Sequence, residues 1–174
     1  MEARSIEAIV RALNDGEVQY LIVGGLAVNA HGFERLTRDV DLVIGLESDN
    51  ISRGLRTLIA IGYNPSIPVT PEDFADAANR EMWRQDKNML VLKLWSDSHQ
   101  RTPIDLFVYE PFDFKAEFAQ AVRMEVATGL AAPFVTRKTL MEMKRVAGRP
   151  QDLTDIAALE ELQRMSENSG HDAI

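Results

Sequence analysis

The stretch YLIVGGLAVNAHGFERLTRDVDLVI, residues 20–44, narrows the possible folds more than any other part of the chain. It joins a β-rich run to a glycine pair, a short helical pattern and a second β run with aspartates on alternate positions. Alternate side chains of a strand share a face, so Asp39 and Asp41 project together, about 7 Å apart along the backbone. Val40, Leu42 and Ile44 take the other face and read as core. Two like charges that close repel, and burying them is expensive. A divalent cation removes the difficulty, because both carboxylates become its ligands. Taken alone, the pair also fits the exposed end of an edge strand, with Arg35 and Arg38 as counter-charges.

Composition limits what such a site can hold. The chain has no cysteine and only three histidines among 174 residues, so disulfides and thiolate metal sites are excluded. Oxygen ligands then favour magnesium, manganese or calcium over zinc. The formal net charge of −8 argues against a broadly basic nucleic-acid-binding surface. A local basic pocket is still open to it. Arg35, Arg38, Arg53 and Arg56 form one sequence cluster, and Arg137, Lys138, Lys144, Arg145 and Arg149 form another. Read alone, each is a solvated face. The opening MEARSIEAIVRAL mixes charge and apolar residues at helical spacing and has no apolar core like that of a secretory signal. No stretch approaches the roughly 20 apolar residues of a membrane span. The expectation is a soluble, cytoplasmic protein with one domain over residues 1–166 and a frayed polar tail over 167–174.

Periodicity and punctuation predict a helix over 4–13, ended by Asn14-Asp15-Gly16, and a strand over 18–23. Gly24-Gly25 then leads into a short helix closed by Gly32, and a second strand covers 39–44. Ser48 is the expected cap of a helix reaching residue 61. Thr70-Pro71-Glu72-Asp73 opens another that should end near Trp83. NMLVLKLW and PIDLFVY pair as a hairpin across the polar loop SDSHQRT. A short helix over 112–121, a strand over 122–126 and helices over 137–147 and 152–165 complete the order. Strands mixed with helices and helices at the end predict an α/β (α+β) domain, a mixed sheet with helices packed on it.

A third acid, Asp105, opens the run IDLFVY as Asp39 and Asp41 open theirs. On its own it reads as a strand-opening aspartate that satisfies a turn. If the two strands are neighbours, three carboxylates meet at one end of one sheet. Such a trio can hold two magnesium ions about 4 Å apart, the arrangement used for in-line displacement at phosphorus. At Gly24 and Gly25 the backbone can turn tightly and aim N–H groups at an anion. Neither a Gly-Lys-Ser/Thr loop nor a G-x-G-x-x-G fingerprint is present. Just ahead of a carboxylate pair, the turn suggests a phosphate cradle beside a metal. Lys144, a compact point charge, reads either as a triphosphate contact or as a surface lysine. His31 reads as a helix-end residue.

The order Gly-Gly, D-x-D and a later strand aspartate resembles the nucleotidyltransferase superfamily related to DNA polymerase β. The wording VGGLAVNAHGFERLTRDVDLVI, with the later KRVAGRPQDLTDIAAL, is similar to the small bacterial members, of the abortive-infection toxin type and the antibiotic-modifying type. The resemblance spans roughly residues 5–162 and implies the nucleotidyltransferase fold. It implies Gly24 and Gly25 at the nucleotide phosphates, and Arg35 and Thr37, the lead-in to the aspartates, as nucleotide-binding residues too. Asp39, Asp41 and Asp105 would be the metal-binding and catalytic carboxylates, the third also helping to deprotonate the acceptor. Lys144 would bind the triphosphate, and Asp152 and Asp155 would be structural acids, one a cap and one in the first turn of the closing helix. Many members carry Gly-Ser where this chain has Gly24-Gly25, so only backbone donors stand there.

The activity so implied is transfer of a nucleoside monophosphate from a nucleoside triphosphate, with two Mg²⁺ or Mn²⁺ ions, to RNA, tRNA, protein or a small hydroxylated compound. A toxin-type member would have an antitoxin partner; none of these implies a membrane. The competing expectation is a non-catalytic module that senses nucleotide or binds a partner on the same fold. Because all three carboxylates are kept, the enzyme is the favoured reading.

Overall fold

Antiparallel pairing of the first two strands lays out everything that follows. The structure, a computed structural model, describes residues 1–169. β1 (Tyr20–Val23) is buried along its whole length and runs antiparallel to β2 (Val40–Ile44). On its other side β2 pairs in parallel with β5 (Ile104–Phe107), which pairs antiparallel with β4 (Val91–Trp95), the predicted hairpin. The full order is β3 (Asn64–Pro65), β4, β5, β2, β1, β7 (Leu130–Phe134), β6 (Val122–Ala127). Sheet and helices make the mixed α/β domain expected. β2 has partners on both sides, so its aspartates do not sit on an edge strand. Val40, Leu42 and Ile44 are buried, as strand alternation requires.

Two strands escape the sequence. β3 is only a two-residue pairing that includes Pro65, and β7 is LAAPF, poor in β-branched residues and interrupted by Pro133. Pairing with neighbours places both.

The helices follow their caps. α1 (Ala3–Asp15) buries Ile9, Val10 and Leu13 and lies against α3 (Ser48–Ala60) and β7. Ser48 is the first helical residue of α3 and not its cap; Glu47 holds that place, with no side-chain bond. Thr70 and Asp73 form a reciprocal capping box on α4 (Pro71–Ala75). The helix expected to run to Trp83 breaks at Asp76. Its carboxylate accepts the Ala78 N–H and starts α5 (Ala77–Lys87), a short-range bond that competes with helix continuation. Asp113 caps α6 (Phe114–Ala119). Thr136 caps α7 (Arg137–Ala147), which ends on a left-handed Gly148.

α8 (Pro150–Ser169) begins two residues earlier than expected. Asp152 is therefore inside the first turn and not the cap, and it accepts the backbone N–H of Arg149. Of the tail expected over 167–174, residues 167–169 belong to this helix and the rest lie outside the described residues. Among the described residues no helix is long and apolar enough to cross a membrane.

Candidate active site

One row across the sheet collects the site. Val23 on β1 faces Asp41 on β2, Asp41 faces Asp105 on β5, and Asp105 faces Lys93 on β4. Registered neighbours project to the same side, so Asp41 and Asp105 stand together. Asp39, one residue ahead of β2, lies close enough for its charge to act on both. The crowding is visible in their acidity. Burial, with the charges of Asp39 and Asp105, pushes the Asp41 carboxyl up to about 7, against the pull of the Gly25 N–H and of Lys144. Burial also raises Asp105. Lys93 opposes that shift, with Nζ 3.3 Å from Oδ1, and Asp39 adds to it.

The same register explains the glycines. Gly24 follows Val23 directly, so it lies against Asp41, at a left-handed φ of +63°. A Cβ on it would overlap the Asp41 carboxylate, with Cγ only 2.5 Å away. A Cβ on Gly25 would come within 2.5 Å of Thr37 Oγ1 and 3.0 Å of Arg35 Nη2. The pair therefore lets three side chains, Asp41, Thr37 and Arg35, press on the turn. Gly24→Ala is expected to cost about 2 kcal/mol or more, since the left-handed conformation alone costs an alanine about 1–2 kcal/mol and Asp41 must also move. Urea denaturation measures this; an unchanged midpoint would contradict the close packing of Asp41 on the turn.

Arg35 and Thr37 lock the loop ahead of β2. The Arg35 backbone exchanges hydrogen bonds with the Asn29 side chain, N–H to Oδ1 at 3.1 Å and Nδ2–H to the carbonyl at 2.9 Å. The Arg35 guanidinium does not neutralise Asp39 or Asp41 by ion pairing. It pairs with Asp155 of α8, Nε to Oδ1 at 2.8 Å. Thr37 Oγ1 donates to the Asp39 carbonyl at 3.4 Å.

Lys144 is buried, its side chain 5% exposed, between Asp152 at 3.1 Å and Asp155 at 2.7 Å. Its charge is felt at Asp41, where it favours the ionised carboxylate. Burial pushes Asp152 upwards, but hydrogen bonds from Arg149 and Lys144 outweigh it and hold the carboxyl below its usual range. Asp155 is lowered in the same way by Lys144, Gln151 and Arg35. Neither acid has the place expected of it: Asp152 is inside the first turn of α8, and Asp155 lies beyond that turn because the helix starts at Pro150; both instead pair with the buried Lys144.

Two residues of the site were illegible in the sequence. Lys93 looks like one charge in an alternating strand, and only the hairpin register sets it on Asp105. Arg149 merges with a basic cluster. Its partner Asp152, three residues on in a helix start, was the available signal.

The donor set suits a hard cation. The three carboxylates are crowded enough to raise the acidity constants of two, and the two histidines within the described residues are engaged elsewhere. His31 Nε2 meets the Val135 carbonyl at 2.8 Å, as befits a helix-end residue, and His99 Nδ1 meets Ser5 Oγ at 2.9 Å. No three acidic or imidazole groups among the described residues are drawn up to grip a metal as they stand. With Lys93 on Asp105, cation binding would have to displace an ion pair.

No family model and no curated protein sequence matches the chain. Solved structures do. A lincosamide antibiotic adenylyltransferase, LnuA, solved with lincomycin bound, superposes with a TM-score of 0.59 at 13% identity over 91% of this chain and 96% of that one. An antigenic nucleotidyltransferase-like protein from Paracoccidioides brasiliensis gives 0.53 at 17% identity over 99% of this chain and 88% of that one. The seven-stranded mixed sheet, its flanking helices and these likenesses give the chain the nucleotidyltransferase fold.

Proposed function

We propose that this chain transfers a nucleoside monophosphate from a nucleoside triphosphate to a hydroxyl acceptor. The observation that carries the reading is the shared row of Asp41 and Asp105 beside the Gly24-Gly25 turn, with Asp39 within their electrostatic reach. Asp39, Asp41 and Asp105 are the residues that would hold Mg²⁺ or Mn²⁺, two ions when complete. Bound there, the metal supplies charge neutralisation at the phosphates. The Gly24-Gly25 turn, held by Arg35 and Thr37, offers the donor a close backbone approach. The Asp105 carboxylate, whose acidity constant burial raises, takes the acceptor's proton. The acceptor oxygen then bonds to the α-phosphorus as the α–β bridging P–O bond breaks, and pyrophosphate leaves with the electron pair.

The acceptor class follows from charge. A net −8 disfavours a long nucleic acid, leaving a small hydroxylated compound, a protein side chain or the tip of a tRNA. The likeness to an enzyme holding lincomycin supports the small-molecule class. A toxin-type role with an antitoxin partner belongs to the protein or tRNA branch. The second reading, a nucleotide-sensing module, is favoured by one observation, the Lys93–Asp105 pair that occupies the third carboxylate.

Incubation with each α-labelled nucleoside triphosphate, Mg²⁺ or Mn²⁺ and cell extract distinguishes them. Label should pass to one acceptor and Asp105→Asn should stop it. Tight nucleotide binding without transfer would establish the sensing module instead.

A further inference from the structure

Of the basic side chains linked to the carboxylate row and its glycine turn, Arg35, Lys93 and Lys144 are already committed. Arg35 gives its Nε and Nη2 edge to Asp155 and its Nη1 to the Leu36 carbonyl. Lys93 lies on Asp105. Lys144 is shut between Asp152 and Asp155, and a phosphate could reach it only by breaking a buried ion pair.

Arg149 is different. Its side chain is 74% exposed, and only one edge of the guanidinium is used: Nε meets Asp152 Oδ2 at 2.7 Å and Nη2 meets Oδ1 at 3.3 Å. Nη1 makes no hydrogen bond among the described residues. A guanidinium fixed along one edge presents the other as a preset fork for phosphate oxygens.

Arg149 is also joined to the glycine turn by unbroken contacts. Gly25 lies against Arg35, Arg35 holds Asp155, Asp155 holds Lys144, Lys144 holds Asp152, and Asp152 holds Arg149. The charges of Asp41 and Asp39 also act on the guanidinium.

We propose that Arg149, rather than Lys144, is the side chain that meets the donor's β- and γ-phosphates. This rests on the nucleotidyl-transfer reading, and the two can fail separately. The experiment is calorimetric titration, in Mg²⁺, of nucleoside triphosphate, inorganic tripolyphosphate and nucleoside monophosphate into the unaltered protein, Arg149→Ala, Arg149→Lys and Lys144→Met. Arg149→Ala should weaken triphosphate and tripolyphosphate by about 10–100-fold, the range for one charged hydrogen-bonding group, and monophosphate by less than about 3-fold. Arg149→Lys should recover part of the loss, keeping charge without the fork. Lys144→Met, titrated at a temperature where it remains folded, should keep the ratio of triphosphate to monophosphate affinity.

Equal triphosphate binding by Arg149→Ala and the unaltered protein would overturn the assignment alone. So would an equal loss for mono- and triphosphate, which would mark Arg149 as structural. Loss of the affinity ratio in Lys144→Met would return the role to Lys144. No nucleotide binding by the unaltered protein would overturn both the assignment and the transfer reading.

Discussion

Asp41→Asn is expected to be more stable than the unaltered protein at pH 8 without metal, and inactive. Asp41 sits beside Asp39 and Asp105 in a largely desolvated place. Its folded acidity constant, about 7, lies above that of an unfolded aspartate, about 3.9. A raised constant means that the folded state binds the proton more tightly. Its contribution to stability is fully present below about pH 4 and is lost as pH rises through about 7. Asp105 is shifted in the same direction and adds to the slope. An amide keeps an acceptor for the Gly25 N–H and removes the charge.

The thermal midpoint of Asp41→Asn should therefore exceed that of the parent by several degrees at pH 8, at about 2–4 °C per kcal/mol for a chain of this size. The two should converge towards pH 4. Added Mg²⁺ should raise the parent's midpoint by mass action and leave the variant's unchanged. Transfer should fall by about 10³-fold or more, as when a preorganised charge-stabilising group is removed. Asp41→Asn with a midpoint below the parent's at pH 8 would refute the crowding. A variant that still transferred label would refute the catalytic carboxylate.

The opposite sign is expected at Lys144. Lys144→Met leaves Asp152 and Asp155 buried with their main cation gone; their side chains are only 1% and 0% exposed. Breaking a buried pair from one side costs about 3–5 kcal/mol, here with two acids stranded. That corresponds to a midpoint lower by about 6–20 °C. The pH profile identifies the cause. In the parent both acids are held below their usual range, so their contribution is present above the unfolded value near pH 4 and is lost as pH falls through the lower folded values. Without Lys144 burial is less opposed and their acidity constants rise. The deficit of Lys144→Met should then be larger at pH 7 than at pH 5. Lys144→Met combined with Asp152→Asn should regain part of the loss, because Asp155 keeps Arg35 as its partner and the released Arg149 is largely in solvent. A midpoint within 2–3 °C of the parent's, about 1 kcal/mol, would show the network to be energetically idle.

Much of the fold was legible because its signals are local. Thr70-Pro71, Thr136 and Gly148 mark helix ends through bonds made within four residues, and α7 falls where they predict. Where a local signal misled, a neighbouring one had won. Asp76 took the Ala78 N–H and split one expected helix in two. Pro133 concealed β7, whose existence depends on pairing with β1 and β6.

The sequence by itself determined that Asp39 and Asp41 share a face, that Val40, Leu42 and Ile44 line the core, and that a glycine turn precedes them. Strand alternation and the backbone freedom of glycine are properties of the local chain. Only the tertiary structure decided that Asp105 lies beside Asp41, that Lys93 faces Asp105, and that Lys144 turns inward while Arg149 turns out. Those relations depend on strand register and on which helix face is covered, both set by packing between segments up to 120 positions apart, such as Arg35 and Asp155. Burial then assigns the roles: a lysine between two buried acids is committed to the fold, and an arginine held by one edge is free to bind.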